Sequence, residues 1–108
     1  MNDVFDGLYQ VVLDRRANPQ EGSYTCYLFE KGLDKICKKI GEEASEVIIA
    51  AKNGESEETV GEICDLLYHL TVLMAQQDIP LSAVMEELDR RGQKIGNLKQ
   101  FHVTDKES

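Results

Sequence analysis

The sequence predicts an all-α fold, a helical bundle of four main helices that a second subunit completes. Apolar residues recur at steps of three and four along most of the chain, which is the spacing of one face of an α-helix. No segment alternates apolar and polar residues as a half-buried strand does, and both prolines lie between predicted helices. We therefore expect a single domain over residues 1–108, with a core at about 4–91 and a partly disordered tail at 92–108.

The first half of the chain contains a helix, a loop, a short helix and a long helix. Residues 3–16 carry apolar side chains at helical spacing, and residues 17–23 hold the Asn-Pro and Gly signals of a loop. A short helix is expected over residues 24–31, and Gly32 interrupts the chain before the next helix. The strongest apolar stripe follows over residues 33–53, and its members are Leu33, Ile36, Cys37, Ile40, Ala44, Val47, Ile48 and Ala51.

Two further helices complete the predicted bundle. Gly54 suits the left-handed residue that ends a helix, and Ser56 suits the start of the next helix, which runs to about Gln77. Pro80 suits the opening of a fourth main helix that ends near Arg91. The residues expected to face inward are Val60, Ile63, Leu67, Leu70 and Met74 in the first of these helices, and Leu81, Val84 and Leu88 in the second.

The helix after Gly54 is apolar on a second side. Leu66, Val72 and Leu73 lie opposite the stripe that contains Leu67. A helix of this kind is normally buried on more than one face, and a short chain achieves this most simply by pairing with a copy of itself. We therefore expect a homo-oligomer, either a dimer or a dimer of dimers.

Composition excludes several classes of protein. The net charge of −8, from 20 acidic and 12 basic residues, argues against a nucleic-acid partner, which needs a basic surface. No segment approaches the roughly 18 apolar residues of a membrane helix, and the N-terminus lacks the pattern of a secretory signal. Cys26, Cys37 and Cys64 form no C-x-x-C pair and indicate reduced thiols, two of them on apolar helix faces. The predicted compartment is the cytoplasm.

Four acidic residues are placed symmetrically about the turn between the two long helices. Glu46 and Glu62 each lie eight residues from Gly54, and Glu43 and Asp65 each lie eleven residues from it. In antiparallel helices, with the same rise of about 1.5 Å per residue, equal counts place residues at the same height. The carboxylates of the four residues are therefore expected to converge.

This convergence favours a metal site. Like charges at short range repel one another or force protonation unless a cation lies between them. Glu43 borders the apolar stripe, and Glu62 and Asp65 share a face with apolar residues, unlike acids on a solvated helix. Several carboxylate ligands suit a hard cation, usually Mg²⁺ that also contacts substrate phosphates, and Mn²⁺ could replace it. The alternative is that these acids only keep a helix surface soluble.

Candidate substrate-binding residues flank the acids. Lys35 and Lys39 lie one turn apart and could hold a triphosphate, or could be solvated partners of nearby acids. His69, four residues after Asp65, could orient a carboxylate or a phosphate, or could lie in a subunit interface. The other candidates are Lys31, Arg15 and Arg16 for phosphate, and Ser23, Tyr24 and Thr25 for ribose or phosphate, unless these last three only turn and cap the short helix.

The acidic pattern, E-E-x-x-E followed after 15 residues by E-x-x-D, resembles that of the all-α nucleotide pyrophosphohydrolases, the MazG-like and dimeric dUTPase superfamily. A narrower resemblance, to the phosphoribosyl-ATP pyrophosphohydrolase family, covers about residues 4–91. The first motif that carries this resemblance is at residues 18–25, which read NPQEGSYT. The other segments that carry it are residues 31–36, 39–43, 47–53 and 65–70.

The resemblance implies hydrolysis of phosphoribosyl-ATP to phosphoribosyl-AMP and pyrophosphate, the second step of histidine biosynthesis. It also implies a homodimer or larger assembly in which helices of both subunits complete the bundle and the active site. The implied metal ligands are Glu43, Glu46, Glu62 and Asp65, and the choice of Glu43 over Glu42 rests mainly on the resemblance. Glu42 is either a general base, a group that supports the ligands, or a solvated surface acid.

Two other functions fit parts of the sequence. A house-cleaning hydrolase of deoxynucleoside or damaged nucleoside triphosphates would keep the four acids without requiring residues 18–25. A non-enzymatic helical dimerisation module would explain the helix that is apolar on two sides, but not the acids placed level on two helices. A di-iron bundle is disfavoured because it requires Glu-x-x-His pairs, which this chain lacks.

Overall fold

The computed structural model describes residues 3–93, which form five α-helices joined by short connections. All regular secondary structure within this range is helical, which confirms the predicted all-α class. The tail predicted at 92–108 lies outside the described residues from position 94 onward. The helices are α1 (Asp3–Ala17), α2 (Tyr24–Lys31), α3 (Leu33–Asn53), α4 (Ser56–Gln76) and α5 (Leu81–Gly92).

Two glycines set the course of the chain around α3. Gly32 separates α2 from α3 with φ of 92°, and Gly54 ends α3 in the left-handed conformation with φ of 74°. Side chains other than glycine are rarely accommodated at such angles. The Gly54 turn reverses the chain, so that α3 and α4 pack antiparallel in the most extensive helix pair of the described structure.

The buried core joins all five helices. Tyr9 of α1 donates a hydrogen bond from its hydroxyl to the carbonyl of Ile79 at 2.8 Å, which ties α1 to the connection between α4 and α5. Arg16 strengthens this tie through the carbonyl of Ala75 and an ion pair with Asp78. The buried apolar cluster consists of Tyr9, Val12, Leu28, Ile36, Val72, Ala75 and Leu81.

The predicted inward face was wrong for the first half of α4. Val60 is 60% exposed, and Ile63 and Leu67 are also exposed. His69 and Val72, on another side of the helix, are buried instead. The side of α4 that packs on the other helices of this chain is therefore not the stripe that contains Val60.

Two smaller predictions about burial were also wrong. Leu88 was expected to face inward but is 52% exposed, because α5 makes few contacts with the other helices beyond the buried Leu81. Cys37 is exposed, although periodicity placed it in the apolar stripe of α3. Cys64 is exposed as well, and the three cysteines form no disulfide with one another. None of the described helices combines the length and the apolar composition needed to cross a bilayer.

Candidate active site

Three of the predicted acids meet between α3 and α4. Glu43, Glu62 and Asp65 each offer a carboxylate oxygen, and these atoms lie within 4.8 Å of one another. The antiparallel turn at Gly54 places them together. Glu46, the fourth predicted ligand, is exposed and is not in this group.

Two of these carboxylates are incompletely hydrogen-bonded. Oε1 of Glu43 and Oε1 of Glu62 are buried and have no hydrogen-bond partner among the described residues. Buried polar atoms in folded proteins are nearly always satisfied, and an unsatisfied carboxylate oxygen is costly. Because both atoms belong to hard, anionic ligands, the residues present fit a hard divalent cation.

The charges around Glu62 also favour a cation at this site. Burial raises the pKa of Glu62, and the charges of Glu46, Asp65 and Glu43 raise it further, in that order. Glu46 therefore lies near enough to act on Glu62, although its oxygens are outside the three-residue group. A bound cation would offset the negative charges that contribute to this shift.

Lys39 borders the carboxylate cluster on α3. Its Nζ lies 3.1 Å from Oε1 of Glu42 and 3.9 Å from Oε2 of Glu43. The hydrogen bond to Glu42 raises the pKa of Lys39 and lowers the pKa of Glu42. Lys39 thus presents a positive charge beside the acids, while the ion pair makes Glu42 a weaker base.

Tyr24 connects α2 to the acidic helix through His69. The hydroxyl of Tyr24 lies 3.0 Å from Nε2 of His69, and Nδ1 of His69 lies 2.7 Å from the backbone carbonyl of Asp65. His69 is only 4% exposed, whereas Tyr24 is 45% exposed. Sequence spacing indicated that His69 shares a face with Asp65, but it gave no sign that Tyr24 would be its partner, 45 residues away.

An aromatic row with lysines along it continues from Tyr24. The Tyr24 ring stacks on Tyr27 and Tyr68, with centroids 5.9 and 6.2 Å away. The ammonium groups of Lys31 and Lys35 lie 5.8 and 6.0 Å from the Tyr27 centroid, which is the range of cation–π contacts. Two of the predicted phosphate-binding lysines therefore lie beside Tyr27, and Lys39 alone lies beside the acids.

The two neighbours of Tyr24 in the predicted substrate-binding run have structural partners. Ser23 caps α2, since its Oγ accepts a hydrogen bond from the backbone N–H of Cys26 at 3.2 Å. Thr25 shares a hydrogen bond with the hydroxyl of Tyr68. Spacing along the chain could not indicate Tyr68 as a partner of Thr25, because a contact between residues 43 positions apart leaves no local signal.

A cavity of about 880 Å³ lies between the end of α1, the following loop and α2. Arg15, Ser23, Tyr24 and Tyr27 are among its lining residues, and the acids of α3 and α4 are not. Tyr24 thus belongs both to the wall of the cavity and, through His69, to the surroundings of the acidic cluster. Arg16 also lines the cavity, but its guanidinium is engaged by Asp78.

Fold and site together define an all-α protein with a carboxylate cluster suited to a divalent cation and with lysines placed for an anionic ligand. Residues 5–92 match the family described as Phosphoribosyl-ATP pyrophosphohydrolase. The chain belongs to this family, which confirms the resemblance drawn from its acidic pattern and from residues 18–25.

Similar proteins support the same assignment. The chain is 58% identical over 103 residues to the phosphoribosyl-ATP pyrophosphatase of Clostridium botulinum strain Kyoto, covering 95% of this chain and 94% of the relative. It is 52% identical over 99 residues to that of Clostridium acetobutylicum, covering 92% and 90%. It is also 54% identical over 102 residues to the histidine biosynthesis bifunctional protein HisIE of Lactococcus lactis, covering 94% of this chain and 48% of the relative.

Proposed function

We propose that this chain hydrolyses phosphoribosyl-ATP to phosphoribosyl-AMP and pyrophosphate, the second step of histidine biosynthesis. Family membership over residues 5–92 supports the substrate, as do the names of relatives that are more than half identical. The observation that supports the chemistry is the meeting of Glu43, Glu62 and Asp65, where one buried oxygen each of Glu43 and Glu62 has no hydrogen-bond partner in the described part of the chain. Such a site needs a cation, and the phosphates of a nucleoside triphosphate also bind divalent cations.

The proposed cofactor is Mg²⁺, which Mn²⁺ could replace. Glu43, Glu62 and Asp65 would hold it, and Glu46 would join them from the next turn of α3. The bound cation would supply charge neutralisation at the phosphates and activation of water. The raised pKa of Glu62 supports this assignment, because the cluster is unfavourable when it carries full negative charge without a cation.

The side chains around the cluster have distinct roles in the proposed reaction. Water forms a bond to one of the two phosphorus atoms of the α–β anhydride, the bridging P–O bond on that phosphorus breaks, and the other phosphoryl group leaves with the electron pair. Lys39 offsets phosphate charge beside Glu43, and Lys35 and Lys31 extend the positive surface along Tyr27. Glu42 is one candidate base for the proton of the attacking water, although its ion pair with Lys39 makes it a weaker base than a free carboxylate.

The proposed assembly is a homodimer or a dimer of dimers. Val60, Ile63 and Leu67 form an exposed apolar stripe on α4, and Ile48 and Ile49 are exposed on α3. A second copy that covers these residues would complete the bundle and remove an apolar surface that monomeric proteins rarely present to water. We also place the enzyme in the cytoplasm, where exposed thiols such as Cys37 and Cys64 remain reduced.

A substrate panel tests the proposal. Purified protein with Mg²⁺ is incubated with phosphoribosyl-ATP, ATP, dUTP or dCTP, and the products are identified by phosphorus NMR. We expect pyrophosphate and phosphoribosyl-AMP from the first substrate and little turnover of the others. Preference for a deoxynucleotide would move the chain to the house-cleaning hydrolases. No turnover of any substrate, together with no Mg²⁺ binding, would leave a helical dimerisation module.

A further inference from the structure

We propose that the Tyr24 hydroxyl oxygen accepts a hydrogen bond from a ribose hydroxyl of the nucleotide, and that His69 is the positioning residue that fixes the direction of this contact. The inference rests on the proposed function and deepens it, because it assigns a specificity determinant for the sugar. The evidence for this contact is the pair of hydrogen bonds made by His69 and the position of Tyr24 between the acids and the cavity.

With a neutral imidazole at His69, the hydrogen-bond chain has one direction. The carbonyl of Asp65 can only accept, so Nδ1 of His69 must carry the hydrogen and donate it. In a neutral imidazole, Nε2 then has only a lone pair, and the bond at 3.0 Å must use the proton of Tyr24. Burial raises the pKa of Tyr24, which keeps that proton on the hydroxyl. The Tyr24 oxygen therefore offers only lone pairs to a further partner.

The position of Tyr24 indicates which part of a nucleotide that partner is. The charges of Lys39 and Glu43 both act on the Tyr24 hydroxyl, so this group lies near the boundary of the acidic cluster. Phosphates held by that cluster and by Lys39 place the ribose next along the nucleotide. The oxygens of the α- and β-phosphates carry no hydrogen at neutral pH and would be repelled by the lone pairs of Tyr24. The ribose hydroxyls are the donors nearest the scissile phosphates.

The contact is preorganised on the protein side. His69 is buried, and its ring meets the Tyr24 ring edge-on at 5.7 Å with an interplanar angle of 80°. Tyr24 is also stacked on Tyr27 and Tyr68, which limits its rotation. A site that is built to bond a substrate hydroxyl discriminates against an analogue that lacks the hydroxyl, because the protein group is left unpaired.

The test compares ribo and deoxy substrates in variants that keep the aromatic ring. Wild type, Tyr24→Phe and the matched control Tyr27→Phe are assayed for kcat/KM with phosphoribosyl-ATP and with its 2′-deoxy and 3′-deoxy forms in the ATP ribose. We expect wild type and Tyr27→Phe to lose about three- to tenfold on one of the deoxy substrates, the range of one neutral hydrogen bond. Tyr24→Phe should show almost no difference between that deoxy substrate and the ribo substrate.

Two other results would overturn the proposal. If Tyr24→Phe discriminates as wild type does, Tyr24 does not contact the ribose. If Tyr24→Phe lowers kcat equally on all three substrates, its hydroxyl acts on the attacking water instead. Failure of wild type to hydrolyse phosphoribosyl-ATP is a separate outcome, which would contradict the proposed function itself.

His69 is tested by a conservative pair of substitutions. His69→Gln offers an amide oxygen that can accept the Tyr24 proton, so we expect it to retain most of the discrimination between ribo and deoxy substrates. His69→Leu has no acceptor for the Tyr24 proton and should lose the discrimination between ribo and deoxy substrates. Mg²⁺ affinity measured calorimetrically without nucleotide should be unchanged in Tyr24→Phe, which separates a lost ribose contact from damage to the carboxylate cluster. If His69→Leu fails to fold, Tyr24→Phe alone decides.

Discussion

Glu43 of α3 and Glu62 of α4 meet across the interface of the two longest helices, and each keeps one buried carboxylate oxygen that has no hydrogen-bond partner within residues 3–93. Glu43 is only 7% exposed, so water reaches little of it. Two carboxylates in this position destabilise the metal-free protein, since burial and like charge both oppose ionisation. The same pair becomes favourable once a divalent cation lies between them. Stability and function should therefore respond to these residues in opposite directions.

Replacing Glu62 by glutamine should separate those two effects. Glu62→Gln removes a negative charge from the cluster, so the metal-free variant should melt a few degrees above wild type. The same variant should lose most of its Mg²⁺ affinity and its pyrophosphohydrolase activity. Thermal denaturation in chelator and calorimetric Mg²⁺ titration measure the two effects, with Glu57→Gln, an exposed acid on the same helix, as the control. A fall in the melting temperature of metal-free Glu62→Gln would contradict this account of the cluster.

The pH dependence of stability should carry the signature of Glu62. Its folded-state pKa lies above the ordinary value of 4.5, so the unfolded chain releases this proton at lower pH than the folded chain does. The contribution of Glu62 to metal-free stability should therefore fall as pH rises from about 4.5 through the folded pKa. Stabilisation by added Mg²⁺ should grow over the same interval, because the cation binds the carboxylate form.

Melting curves at a series of pH values, with and without Mg²⁺, measure this dependence. The difference between wild type and Glu62→Gln isolates the contribution of this one residue from the other titrating groups. If the two proteins show the same pH profile, Glu62 does not titrate in a perturbed environment.

Glu46 and Glu42 should differ in their effect on metal binding. Glu46 is assigned as the fourth ligand, so Glu46→Gln should weaken Mg²⁺ binding by at least about tenfold. Glu42 is paired with Lys39 and lies outside the cluster, so Glu42→Gln should leave the Mg²⁺ affinity within about threefold of wild type. Calorimetric titration of both variants without nucleotide decides the assignment. The reverse order of effects would exchange the roles of the two residues.

The sequence predicted the helices and the acidic cluster because both depend on local geometry. Counting residues from Gly54 brought Glu43, Glu62 and Asp65 together, since both helices have the same rise per residue. The same count placed Glu46 level with Glu62, but the carboxylate of Glu46 lies outside the three-residue group, because counting gives the height of a residue and not the direction of its side chain. The exposed side of α4 could not be predicted, because Val60 and Val72 are equally apolar and only tertiary packing distinguishes them. The bond between Tyr24 and His69 joins distant parts of the chain, and its existence follows from how α2 packs rather than from any motif.

Loss of the Lys39 charge should weaken substrate binding and strengthen metal binding. Lys39→Met removes a positive charge beside Glu43, so KM for the nucleotide should rise by about tenfold or more. Mg²⁺ binding without nucleotide should tighten slightly, because the cluster becomes more negative. Steady-state kinetics and calorimetry measure the two effects, with the exposed Lys38→Met on the same helix as the control. Equal changes in both variants would mean that Lys39 acts only through the overall charge of the protein.

The exposed stripe on α4 should be the contact between subunits. Sedimentation of the wild type is expected to show a dimer or a dimer of dimers. Ile63→Asp should convert it to a smaller species, because burial of a charged side chain in an apolar interface is strongly unfavourable. Val4→Asp, in an exposed position on a different helix, α1, should leave the assembly unchanged. A wild type that sediments as a monomer would contradict the proposed assembly.

The most direct test of the account is pyrophosphate release from phosphoribosyl-ATP as a function of Mg²⁺ concentration, in wild type and Glu62→Gln measured in parallel. We predict that wild type shows saturable activity that begins at the Mg²⁺ concentration where the metal binds, and that Glu62→Gln, although folded and at least as stable without metal, shows almost none. Activity in wild type that is independent of divalent cations, or full activity in Glu62→Gln, would contradict the claim that these carboxylates hold the metal used in the reaction.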